Sequence, residues 1–222
     1  MSNASDFLIA KALNLTYGDG DNVSVAVNNV SLELPPTGYV GIMGPSGSGK
    51  SSLLYILSGL KRPTSGNVSF GNMEYSNADN RALAELRRQK FGFVFQQPFM
   101  LNYLTARENV MTAALDSDPH AMDRCTEILT SLGVNGLADK FPYQLSGGER
   151  QRICVARAMI NSPVVIFADE PTAALDHKNG HIVIDELSSY RERGLVVVVT
   201  HDPEMVNEAD YVHRMRDGRL ED

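Results

Sequence analysis

The sequence predicts an α/β protein with a mostly parallel sheet, an antiparallel β portion near its N-terminal end, and a block of α-helices inserted into the core. Three observations carry this expectation. The runs 164–168 and 195–199 are continuously apolar, as strands are when helices cover both faces of a parallel sheet. Segments 7–17 and 23–34 alternate apolar and polar residues with no helical stretch between them, which fits half-buried antiparallel strands. From about 97 to 158 the strand–helix alternation stops and helical spacing takes over, so this block is expected to stand beside the sheet.

The elements follow in order. The turn cluster Gly18-Asp19-Gly20-Asp21-Asn22 separates the first two strands. After Pro35-Pro36-Thr37-Gly38, residues 39–43 read as a short apolar strand. A glycine-rich turn then leads into a helix with apolar positions at Leu53, Leu54, Ile56, Leu57 and Leu60, which Gly59 and Pro63 help to end. Residues 65–70 read as a strand, 81–90 as an exposed charged helix, and 91–95 as a strand. The inserted block carries helices over 106–115, 121–132 and 148–160. Alternation resumes with a strand over 164–168, a helix over about 178–193 and a strand over 195–200. Residues 211–220 form a hairpin-like piece turning at Asp217-Gly218. One domain over 1–222 is expected, with 1–96 and 159–222 as its core and 97–158 as a helical subdomain.

Composition limits the function. The 222 residues, 43% hydrophobic and 21% charged, suffice for a sizeable core. A net charge of -7 gives no basic surface, so no nucleic acid is expected as a partner. Cys125 and Cys154 have no second Cys or His at metal-ligand spacing, so they read as reduced thiols of a cytosolic protein. The start lacks a signal peptide's basic and apolar regions. The longest apolar runs fall far short of the roughly 20 residues that cross a bilayer. No direct membrane insertion is expected; a membrane-spanning part would be another chain.

Gly44-Pro45-Ser46-Gly47-Ser48-Gly49-Lys50-Ser51, followed by Ser52, matches G-x-x-x-x-G-K-[ST] between a predicted strand and a predicted helix. Glycines permit positive φ, which lets consecutive N–H groups converge on phosphate oxygens. The helix adds its N-terminal partial charge. Lys50 then supplies a cation to the β- and γ-phosphates, and the Ser51 hydroxyl a ligand for Mg²⁺. A merely structural glycine turn would not need the Lys-Ser pair, so a phosphate-loop nucleoside triphosphatase core, with ATP and Mg²⁺ as its ligands, is the expectation.

The apolar strand 164–168 ends in Asp169-Glu170-Pro171. Doubly wound sheets bind ligands at the carboxyl ends of their strands, where these two carboxylates fall. Asp169 is a candidate Mg²⁺ ligand, and Glu170, one residue further on, is suited to polarise the attacking water.

Leu145-Ser146-Gly147-Gly148-Glu149-Arg150-Gln151 resembles the signature motif of the nucleotide-binding subunits of ATP-binding cassette transporters, and the resemblance extends over about residues 9–220. It implies further roles. Tyr17 resembles the aromatic residue that stacks on adenine, although a strand-end tyrosine needs no such role. Gln96, with Gln97 beside it, looks like the glutamine that reaches Mg²⁺ and the attacking water. Ala174-Leu175-Asp176 resembles the loop that communicates between subunits, and His201 the switch histidine that contacts the γ-phosphate. Ser146, Gly147, Gly148 and Glu149 open a predicted helix, an anion site without a lysine. By resemblance this signature closes over the phosphate loop of a second copy, so that two ATP molecules are sandwiched in a head-to-tail homodimer.

The chain closes soon after Leu220. Phe93-Val94-Phe95-Gln96-Gln97, followed by Leu101, Leu104-Thr105 and Glu108-Asn109-Val110, is similar to the lipoprotein-release, macrolide-export and cell-division branch. That implies a separate transmembrane permease and a peripheral place on the cytoplasmic face of the membrane. Phe99, Met100, Leu101, Tyr103 and Leu104 are the expected docking stretch for the permease, the alternative being their burial inside the helical block. The rival readings are a family ATPase that does no transport and a nucleotide-gated regulatory module. A phosphate-loop kinase has no use for the signature segment.

Overall fold

The structure, a computed structural model, describes residues 7–18, 23–116, 118–173 and 175–221. Asp19 to Asn22 of the expected turn, and Ala174, lie outside the described residues.

Strands β1 (Leu8–Tyr17) and β2 (Ser24–Leu34) pair antiparallel, as their alternation predicts. Strand β3 (Gly38–Met43) leads through the glycine loop into helix α1 (Lys50–Leu57). Leu60, expected on the buried face of that helix, is exposed instead. The helix stops at Leu57, and Gly59, at φ +67, turns the chain away. Next come β4 (Ser65–Phe70), β5 (Met73–Glu74), α2 (Asn80–Lys90) and β6 (Phe91–Val94). In α2 the Asp79 carboxylate accepts from Ala82 N, and Arg87, Arg88 and Lys90 sit in the last turn. This matches the charge preference of helix ends.

The inserted block holds α3 (Ala106–Met111), α4 (Ala121–Ser131) and α5 (Gly147–Met159). Thr105 and Glu108 close a capping box at the start of α3, which ends four residues earlier than its apolar spacing predicts. Then follow β7 (Val165–Asp169), α6 (His177–Ser189), β8 (Leu195–Thr200), β9 (Tyr211–Arg216) and β10 (Arg219–Glu221). The helix expected to reach 193 gives way to a 3-10 turn at Tyr190–Glu192.

Two sheets result. One is four-stranded and antiparallel in the order β2-β1-β4-β5; the other is six-stranded in the order β10-β9-β3-β8-β7-β6. In the second sheet only the β9–β10 pairing is antiparallel. The apolar strands explain the layering. Val165, Phe167, Leu195, Val197 and Val199 face a core shared with α1 and the antiparallel sheet. Their neighbours Ile166, Ala168, Val196 and Val198 face a second core, built with α3, α4, α5 and α6. Neither face of these strands meets water, so residues 165–168 and 195–199 are all apolar, and the buried Asp169 and Thr200 that end the two strands are hydrogen-bonded.

Phe167 sits at the centre of the first core. It is fully buried, with Phe91 edge-on at 5.2 Å and Phe93 stacked at 5.8 Å. Truncation to Ala should cost about 3–5 kcal/mol, lowering Tm by about 6–20 °C in a domain of this size. A thermal melt of the variant checks this.

Candidate functional site

Parallel pairing brings the carboxyl ends of β3, β6, β7 and β8 to one edge of the sheet. The loops that follow carry the phosphate loop, Gln96, Glu170 and His201. The ladder continues into these loops, with Gly44 N donating to Thr200 O at 3.3 Å and Glu170 N to Val199 O at 2.9 Å. The site is therefore held by the backbone of the sheet itself.

Gly47 and Gly49 of the loop adopt φ of +79 and +100, which a residue with a Cβ takes only under strain. Ser48 is buried beneath the loop, its carbonyl accepting from Gly218 N at 3.0 Å. Lys50 is buried, and its ammonium donates to Gly44 O at 2.8 Å and Pro45 O at 3.0 Å. Its Nζ lies 3.9 Å from Glu170 Oε1. The Ser51 hydroxyl donates to Asp169 Oδ1 at 2.7 Å, and the Tyr55 hydroxyl to Asp169 Oδ2 at 2.8 Å. Burial, then this hydrogen bond, pushes the Tyr55 phenol up to about 12, so it remains a donor at neutral pH.

Glu170 has a left-handed backbone, φ +45, a conformation that persists in a non-glycine residue only where the surroundings enforce it. Its carboxylate accepts from Thr200 Oγ1 at 3.1 Å and lies 2.9 Å from His201 Nδ1. His201 is itself exposed.

Ser46, Gly47, Gly49, Lys50, Ser51, Ser52, Gln96, Glu170 and His201 line one open cleft of about 520 Å³, rimmed by Ser24, Val25 and Ala26 of β2. Tyr17 stands beside α1, its hydroxyl 3.4 Å from Ser52 Oγ and Lys61 Nζ 5.0 Å from its ring centroid. A hydroxyl and a carboxylate oxygen 2.7 Å apart beside the phosphate loop suit a small hard cation such as Mg²⁺, which takes oxygen ligands at about 2.0–2.1 Å. The donor set thus fits the expected metal.

Among the described residues lining that cleft, none comes from the signature segment. Ser146 caps α5 instead. Its hydroxyl accepts from Glu149 N at 3.3 Å while Glu149 Oε2 accepts from Ser146 N at 2.7 Å. Hydrogen bonding to the Glu149 carboxylate from the Ser146 backbone N–H first, and then from the Ser146 side chain, holds that carboxyl below its usual range. Gly147 faces open space. Gly148 packs on Asn179, which donates to Asp176 Oδ2 at 2.7 Å and accepts from Arg152. Gln151 is buried and donates to Phe95 O at 2.9 Å, tying α5 to the loop of Gln96.

Sequence reasoning did not single out Tyr55, Thr200 or Asn179, and it named Gln151 only as the last residue of the signature segment. Two had a readable signal: Tyr55 is one helical turn beyond Ser51 on the same face, and Thr200 is the polar residue closing an apolar strand. The expected docking stretch divides in the structure. Phe99 and Tyr103 are 61% and 74% exposed and Leu101 is also exposed, whereas Met100 packs on the second core and Leu104 is half-buried. Asn109, buried, pins this loop through bonds to Leu101 N at 2.8 Å and to three carbonyls.

A phosphate loop between β3 and α1, with an acidic pair at the end of β7, defines a phosphate-loop nucleotide-hydrolysing class. Residues 27–173 match the family model described as "ABC transporter". The chain belongs to that family, as one of its ATP-binding, ATP-hydrolysing cassettes. An uncharacterized ABC transporter ATP-binding protein of Thermotoga maritima is 44% identical over 92% of this chain and 89% of its own length. The macrolide export ATP-binding/permease protein MacB of Escherichia coli K12 is 40% identical over 95% of this chain. The chain spans only 33% of the length of that relative. A solved dimeric structure of the ATP-binding cassette MJ0796 in a post-hydrolysis state, bound to ADP and Pi, superposes with a TM-score of 0.89 at 38% identity over 97% of both chains. Among the described residues no helix is long and apolar enough to cross a membrane.

Proposed function

We propose that this chain works as a head-to-tail homodimer that closes on two ATP molecules and drives a separate transmembrane permease of the export or release type. Residues 97–158 would act as the signature-bearing subdomain of a single domain over 1–222. The observation that carries this reading is the separation of two phosphate-binding features. The cleft holds Lys50, Ser51, Glu170 and His201, with Asp169 bonded to Ser51 beside it, while the helix start at Ser146 to Glu149, exposed at Ser146 and Gly147, lies outside it. A second copy can supply the missing half.

In this reading Lys50 exchanges its two loop carbonyls for β- and γ-phosphate oxygens, and the N–H groups of residues 46–51 wrap the phosphates. Ser51, Asp169 and Gln96 hold Mg²⁺, which supplies charge neutralisation of the phosphates when bound. Tyr17 stacks on adenine through the ring face not covered by Lys61. Glu170 accepts a proton from water as that water's oxygen bonds to the γ-phosphorus; the bond from phosphorus to the β–γ bridging oxygen breaks, leaving ADP and phosphate. Thr200 orients the carboxylate, and His201 contacts the γ-phosphate. Loss of that phosphate removes the bridge between copies and opens the dimer. Phe99, Leu101 and Tyr103, on a loop fixed by Asn109, form the surface offered to the permease, which places the chain peripherally on the cytoplasmic face of the membrane. The MacB relatives, which carry ATP-binding and permease functions in one protein by name, support the pairing.

Light scattering with ATP tests the arrangement. A Glu170→Gln background should give dimers with ATP, and adding Ser146→Arg should return it to monomers that still bind the nucleotide. Persistent ATP-dependent dimers in the double variant would rule out closure through the signature.

A further inference from the structure

Outside the lining of the nucleotide cleft is a cluster with a different chemistry. His177 and His181 sit one turn apart on α6, and Glu204 comes from the 3-10 turn Pro203–Val206, three residues beyond His201. The two Nε2 atoms are 3.2 Å apart, and Glu204 Oε2 lies 3.5 and 4.0 Å from them. A tetrahedral ion with bonds of about 2.0–2.1 Å separates its ligand atoms by about 3.3 Å. Small rotamer adjustments therefore suffice to bring all three atoms onto one centre.

The scaffold is set independently of any ion. Asp176 Oδ1 caps α6 by accepting from Asn179 N at 2.9 Å, and Asp202 Oδ1 accepts from Glu204 N at 2.9 Å. Such support is what holds ligand positions before an ion arrives. The side chains are 74%, 47% and 51% exposed, open to an ion from solvent, with room for water at a fourth position. Two imidazole nitrogens and one carboxylate oxygen are a borderline donor set that prefers zinc-like ions to Mg²⁺ or Ca²⁺. The hydrogen bond between the rings uses one Nε2 proton. When an ion bonds to both Nε2 atoms, the donor ring gives up its Nε2 hydrogen to solvent and takes one from solvent at Nδ1, so each neutral ring ends with its hydrogen on Nδ1 and no net proton is released.

We propose that His177, His181 and Glu204 bind one divalent transition-metal ion of the zinc class, linking the start of α6 to the segment after the switch histidine. The site does not depend on the nucleotide reading, because no residue is shared with the cleft.

The test titrates Co²⁺ into the full chain, free of nucleotide, Mg²⁺ and any polyhistidine tag. One ion per chain is expected, with visible ligand-field absorption and a raised Tm. His181→Ala and Glu204→Gln should each weaken binding by at least about tenfold, while circular dichroism and ATP binding show that both variants fold. His201→Ala should bind as the parent does. Unchanged binding in His181→Ala, loss of binding in His201→Ala, or no one-per-chain binding up to about 1 mM Co²⁺ would each overturn the assignment.

Discussion

Glu170→Gln is expected to lower ATP turnover by about 10²–10⁴-fold, the usual contribution of a positioned general base, while leaving ATP binding and the fold intact. The substitution keeps the shape, so the Thr200 hydroxyl, 3.1 Å away, still has an oxygen to bond. His201 Nδ1, 2.9 Å from both carboxylate oxygens, can face an amide in one tautomer or the other. The backbone strain at φ +45 is the same for both side chains. What is lost is the capacity to take a proton from water. Phosphate release under single-turnover conditions measures the effect, and a melting curve checks the fold. A decrease of less than tenfold would remove Glu170 from the role of base and leave Asp169 and His201 to be considered.

The parts of this site that were legible in the sequence are those where chemistry leaves little choice of residue. Lys50 and Ser51 follow a glycine that only a phosphate loop needs, and Asp169-Glu170 follow a strand too apolar to be anything but central. Asp217-Gly218 predicted the hairpin because a two-residue turn needs positive φ at both positions, and the structure has +48 and +78 there. Local pattern gave less where tertiary contacts decide. Leu60 continues the spacing of α1 but falls beyond the point where Gly59 turns the chain. Strand β5 is two residues long, below the length at which any period can be read. Tyr55 and Thr200 matter only because Asp169 and Glu170 lie beside them, which is a fact of the sheet rather than of the local sequence. The signature segment was readable as a motif, yet its distance from the cleft is visible only in the fold.

The phosphate loop offers a second large effect and an internal control for it. Gly49→Ala should both destabilise the protein and abolish tight ATP binding, whereas Gly47→Ala should do much less to stability. Both glycines are left-handed, at φ +100 and +79, so each alanine incurs a backbone cost of about 1–2 kcal/mol. Only at Gly49 does the added Cβ meet fixed backbone. It would lie 2.0 Å from Ala26 O and 3.0 Å from Met215 Cε, whereas the Cβ at Gly47 has nothing within 4 Å. Strand β2 cannot simply retreat, because Asn28 N donates to Gly218 O at 2.8 Å and Gly218 N to Ser48 O at 3.0 Å, so β2, the terminal hairpin and the loop are laced together. The loop must therefore move, taking Lys50 and the N–H groups out of register. A total loss of about 3 kcal/mol or more at Gly49 corresponds to a Tm lower by about 6–12 °C, with ATP affinity down by more than about 100-fold, equivalent to about 2.7 kcal/mol. Melting curves and nucleotide titrations on the two variants separate the terms: the shared part is backbone conformation, and the excess at Gly49 is the contact with β2. Equal melting temperatures for the two variants would mean that the loop rests on β2 too loosely for this lacing to hold the phosphate site in shape.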